Sequence, residues 1–186
     1  MIEFEFDQNT LAKIEKKLGS LKSEAPRALK NALNATARQA RKDLATEARK
    51  TYTVKIGGFN SQMKIKNAST GNLVAIIKSQ GANLELKKFS VYGGRKGALL
   101  STLINRNNGR KTFRNDAFVN NISKGGGHVA AAYRQTRARL PIQKIYSLSV
   151  PSMIGNERDV YGVVEPNIMS NLQDNIDKQV SKILGA

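Results

Sequence analysis

A chain of 186 residues has room for one domain with a sizeable core, and the absence of cysteine excludes disulfides, thiolate metal sites and cysteine nucleophiles. No apolar run approaches the ~20 residues that span a bilayer. The acidic start Met1-Ile2-Glu3-Phe4-Glu5-Phe6-Asp7 also lacks the basic and apolar segments of a signal peptide, so a soluble protein made in the cytoplasm is expected.

The formal charge of +17 is unevenly placed. Residues 1–48 carry nine Lys/Arg against seven Asp/Glu, and residues 157–186 carry three against five. Residues 49–156 carry nineteen against two, Glu85 and Asp116. Like charges repel, so a region this poor in carboxylates implies a polyanion or an acidic subunit facing it.

In chain order, residues 7–18 read as a short helix with Leu11, Ile14 and Leu18 on one face and Gly19 at its end. A longer helix is predicted from Ser23, as cap, to Arg49, with Pro26 tolerated in the first turn. Its stripe of Leu29, Leu33, Ala37, Ala40, Leu44 and Ala48 is Ala-rich and permits close approach of a neighbour. Residues 63–69 and 73–78 then read as a hairpin about Thr70-Gly71-Asn72. The basic loop Tyr92-Gly93-Gly94-Arg95-Lys96-Gly97 leads to a strand over 98–104. That strand is joined to another, over 111–119, by the turn Asn105–Arg110. A short strand, 128–134, follows Gly125-Gly126-Gly127. Leu140-Pro141-Ile142 and Val150-Pro151-Ser152 bracket an extended or irregular stretch, since proline fixes φ and biases the residue before it. A closing helix is expected over 167–184, with Ile168, Leu172, Ile176, Val180 and Ile183 as its stripe and Pro166 in its first turn.

The fold class is therefore α+β: N-terminal helices (1–50), a central antiparallel sheet with long basic loops (51–155), and a C-terminal amphipathic helix (156–186), forming one domain.

Catalysis is not visible in this pattern. The lone His128 has no carboxylate or nucleophile near it in sequence and reads as a strand residue after a glycine turn. The loop Gly93–Gly97 lacks the GxxxxGK[ST] spacing of a phosphate cradle, and Ser152 has no GxSxG context. Asp116 reads as a partner for Arg114 or another nearby Arg. No metal cluster or cofactor site is suggested. Two-metal phosphoryl chemistry would need clustered carboxylates that the basic region does not have. The cations lie mostly at turns and loops; no recognition helix and no array of stacking aromatics accompanies them. What remains is contact with a phosphate backbone without sequence readout, or pairing with acidic protein surfaces.

The segment Arg27-Ala28-Leu29…Asn34-Ala35-Thr36-Ala37-Arg38 resembles the opening helix of the minor tail protein Z family of phages and prophages. Tyr52–Lys55, Ile65–Ala68 and Asn72–Ile77 follow that family's order of elements. The strand carrying Ala117-Phe118, then Arg134, Arg139-Leu140-Pro141-Ile142 and Val150-Pro151-Ser152, is similar to its closing signature. The loop Gln135–Ala138 is more basic than in the family, and residues before 20 lie outside the resemblance. The resemblance implies a non-catalytic virion protein acting in tail completion near the head–tail junction of a long-tailed phage. It implies a ring, often six-fold, with DNA passing through the lumen, and neighbours such as a tail terminator, tail tube or head–tail connector. Arg95, Lys96, Arg106, Arg110, Lys111, Arg137 and Arg139 are then the candidate lumen or subunit-interface charges, with no membrane involved. The alternative is a free nucleic-acid-binding protein without sequence preference, which would bind duplex DNA as a monomer with a steep salt dependence.

Overall fold

The computed structural model describes residues 2–5, 8–55, 58–93, 99–113, 117–121, 129–138 and 140–185. Arg95, Lys96, Arg114, Asp116, Gly125–Gly127, His128 and Arg139 lie outside the described residues.

A strand not expected from the sequence, β1 (Ile2–Glu5), opens the chain. Helix α1 (Gln8–Leu18) ends at Gly19, whose φ of +55° is a conformation that favours glycine. A 3₁₀ turn, Gly19–Glu24, leads into α2 (Ala25–Thr51) with Pro26 in the first turn. The expected cap Ser23 falls inside that turn, and Glu24 stands at the N-cap, where its side chain caps no backbone amide. Every member of the predicted stripe of α2 is buried, from Leu29 to Ala48.

Strands β2 (Met63–Lys66) and β3 (Val74–Ser79) form the expected hairpin, closed by the Ser69–Asn72 bridge. β1 adds to the other side of β3, pairing Ile2 with Ile77 and Glu5 with Val74. After β4 (Asn83–Glu85) comes β5 (Ser90–Tyr92), which pairs with β6 (Ser101–Leu103); β6 pairs in turn with β7 (Lys111–Thr112).

The single strand expected over 111–119 is two, because the chain changes sheets there. Phe113 still donates to the Leu100 carbonyl, whereas β8 (Ala117–Asn121) pairs with β9 (Val129–Arg134). β10 (Ile142–Lys144) extends that second sheet, and β11 (Tyr146–Ser149) pairs back with β4. Among the described residues the antiparallel strands thus fall into four small sheets instead of one.

The stretch from 142 to 149 is extended, as expected, but Val150-Pro151-Ser152 is helical. It belongs to α3 (Val150–Ile154), with Pro151 in the first turn and the Ser149 side chain accepting from the Ser152 amide. The last helix, α4 (Tyr161–Leu184), starts six residues ahead of the expected Asn167 and holds Pro166 in its interior. Proline supplies no N–H there. The early start is fixed by the preceding turn: the Asn156 carbonyl accepts from both Val160 and Tyr161, and Gly162 donates to the Glu157 carbonyl. A Cβ on Gly162 would collide with that carbonyl oxygen, so only glycine fits.

The core runs along α2. Leu33, Leu44, Phe59, Met63, Ile77 and Met153 cluster around its C-terminal half, and Ile14, Leu18, Leu29 and Val180 around its start. α4 lies along α2, placing Ile168 and Ile176 in these clusters, and the small Ala32, Ala37, Ala40 and Ala48 leave room for it. A smaller cluster of Leu86, Leu100, Ala117, Val119 and Ala131 sits among the basic strands.

Candidate interaction surface

The turn between β6 and β7 is built by two residues. The Asn105 side chain accepts from the Asn107 amide at 2.8 Å, capping a 3₁₀ turn over Arg106–Asn108. Gly109 follows at φ +69°, where a side chain would be strained. The turn presents Arg106, Arg110 and Lys111 to solvent, and the Arg110 guanidinium lies 3.8 Å over the Tyr92 ring.

This turn is tied to the helical layer through Asp159. The buried Asn105 donates to Asp159 Oδ2 at 2.9 Å, and Arg158 Nε donates to Oδ1 at 3.1 Å. Arg158 also donates to Asn108 at 2.9 Å, and Asn156 donates to the Tyr52 hydroxyl at 2.9 Å. The Thr51 hydroxyl, at the end of α2, donates to the Asp159 carbonyl. The hydrogen bonds from Arg158, and after it Asn105, hold the Asp159 carboxyl below the usual carboxylate range against the opposing effect of burial. Burial pushes the Tyr52 hydroxyl up.

Beside the turn lies a cleft of about 650 Å³ between β6–β7 and β11, whose walls include Arg110, Lys111, Leu86, Phe113, Tyr146 and Leu148. Its chemistry is cationic and apolar. Among the described residues no group of three or more His, Asp or Glu could hold a metal, and no helix is long and apolar enough to cross a membrane. The exposed cations and apolar side chains of the cleft together can take up a partner that carries both acidic and apolar groups.

Of the predicted charges, the fold brings Arg106, Arg110 and Lys111 together. Arg137 stands apart, exposed on the bend between β9 and β10. Among the motif residues, Asn34 clamps α2 to the β2–β3 hairpin: its side chain donates to the Ala68 carbonyl at 3.1 Å and accepts from the Ala68 amide at 2.8 Å. Arg134 lies 5.0 Å over the Phe118 ring, joining β9 to β8. Arg27 is an exposed partner of Glu24, and Arg38 is exposed. Leu140 and Pro141 are exposed, Ile142 is half-buried in β10, and Ser152 shares a hydroxyl contact of 2.8 Å with Ser149.

Sequence reasoning missed Asp159 and its partners, because Asn105 lies 54 residues from Asp159 and Tyr52 lies 104 from Asn156, and no periodicity links them. It also passed over Tyr146 and Leu148, whose alternation with Ser147 and Ser149 was a readable strand signal.

The family described as prophage minor tail protein Z matches residues 11–185. No curated protein and no solved structure matches the chain.

Proposed function

The chain belongs to the prophage minor tail protein Z family, and on that premise we propose that it completes the tail at the head–tail junction as one subunit of a ring. Family membership makes it a structural component of the phage tail and of the virion. The finer reading is that copies assemble as a hexamer, with the basic β-rich part near the DNA path and the helical layer packed against neighbours.

The observation that carries this reading is the separation of charge, seen together with where the fold puts it. Nineteen cations against two acids occupy residues 49–156, and the fold exposes Lys64, Lys66, Lys78, Lys87, Lys88 and Arg106 among them. Sequence-blind cationic contact suits a DNA conduit, where tight gripping would impede passage. Tail terminator, tail tube and head–tail connector proteins are the neighbours such a position supplies.

The test is electron microscopy of particles from a phage carrying an early stop in this gene. Tails of normal length that fail to yield properly joined, infectious virions are expected. Fully infectious particles lacking the protein would overturn the tail-completion assignment and favour a free nucleic-acid-binding protein.

A further inference from the structure

Two exposed surfaces of this chain complement each other. The first is the cleft beside the β6–β7 turn. Its cations Arg110 and Lys111 stand next to Tyr146, 54% exposed, and to the exposed Leu148. A surface that met only phosphates would gain nothing from presenting Tyr146 and Leu148 to solvent. A protein partner would bury them and satisfy the cations at the same time.

The second surface is the start of α4. Val163, Pro166 and Met169 are three residues apart and all exposed, so they form one apolar row along the helix; Val163 is 50% and Met169 62% exposed. Glu165, four residues before Met169, stands beside that row and accepts from the Tyr161 hydroxyl at 3.1 Å. The segment from 157 to 186 has five acids against three bases, the opposite balance to the region around the cleft.

We propose that the α4 row of one copy docks into the cleft of a second copy. Val163 and Met169 lie against Tyr146 and Leu148, and Glu165 faces Lys111 and Arg110. The proposal rests on the ring-forming part of the function proposed above and names the surface that forms it. A contact between two different patches is heterologous, the kind that closes into a ring when the rotation permits. It also assigns Arg110 and Lys111 to protein and leaves the DNA path to other cations.

The experiment is sedimentation velocity on the full chain, with the variants K111E, E165K and the double variant K111E/E165K. All changes are at exposed positions, and unchanged far-UV circular dichroism checks the fold. Each single reversal is expected to weaken self-association about tenfold, because it sets like charges face to face, and the double reversal to restore it to within about threefold. M169D, which puts a charge into the apolar row, is expected to weaken association at least as much. The proposal is overturned by a wild-type chain that stays monomeric, by single reversals without effect, or by a double variant that recovers nothing. It is equally overturned if K111E loses duplex-DNA binding while self-association is intact. None of these results bears on the stop-codon phage, so failure of the docking surface is distinguishable from failure of the tail-completion reading.

Discussion

The helical layer and the basic strands are built on different terms. α2 and α4 press an Ala-lined face against long aliphatic side chains, and nearly all of the largest buried residues from Leu18 to Ile77 contact this layer. The strands between Asn83 and Ser149 are divided among small sheets around a cluster of few large side chains, chiefly Leu86 and Leu100. One part concentrates apolar burial and carries little net charge; the other concentrates charge and buries less. The difference teaches that apolar burial and positive charge are concentrated in separate parts of the chain, with the Asp159 network as the joint between them.

The sharpest way to break this comparison is a pair of equivalent truncations. Leu44 and Leu100 are both fully buried, one in each part. Leu44→Ala is expected to lower the free energy of unfolding by about 4 kcal/mol, and Leu100→Ala by about 2.5 kcal/mol, because the thinner cluster collapses more readily around the lost volume. Chemical denaturation followed by circular dichroism measures both. Equal losses would mean that the strands are as densely packed as the helices, and the division would fail.

What was legible in the sequence follows the same division. The stripes of α2 and α4 could be read because one helix face is buried along its length, so Leu29 to Ala48 and Ile168 to Val180 repeat at three or four residues. The β2–β3 hairpin could be read because Thr70-Gly71-Asn72 supplies turn chemistry between two apolar runs. Local pattern gave no warning of the sheet change after Thr112, which depends on whether a residue pairs with β6 or β9. Nor did it give the start of α4, which is set by the Asn156 carbonyl and by the space left at Gly162. β1 escaped notice because alternating Glu and Phe at a chain start carries no turn signal to mark a strand. For the interaction surface, the charge map pointed to Arg106, Arg110 and Lys111, but the apolar walls of the cleft come from strands that meet only in the fold.

The joint itself is the next target. Asp159→Ala removes the acceptor of Asn105 and Arg158, leaving the buried Asn105 amide without that partner. A loss of about 2 kcal/mol is expected, from the desolvated donor left behind. Because the folded state holds the Asp159 carboxyl below its usual range, its contribution is fully present above the unfolded value of about 3.9. It is lost as the pH falls through the lower folded value. Wild-type stability measured between pH 7 and pH 3 should therefore fall at the acid end, and the difference from Asp159→Ala should shrink there. A difference that stays constant down to the most acid point would show that the carboxylate charge is not what holds the turn.

The smallest effect is expected where α1 meets α4. Lys17 and Asp177 approach to 3.3 Å, but both side chains are more than half exposed, so water and salt screen the pair. The Asp177 carboxyl is lowered first by the hydrogen bond from Gln173 and only then by Lys17, so removing the lysine leaves its larger stabilising partner in place. α1 is held instead by Ile14 and Leu18, both buried against Leu29 and Val180. Lys17→Ala is accordingly expected to change stability by no more than about 0.5 kcal/mol, with the change vanishing at high salt. A loss comparable to that of Asp159→Ala would mean that this exposed pair, and not the apolar contact beneath it, docks the first helix.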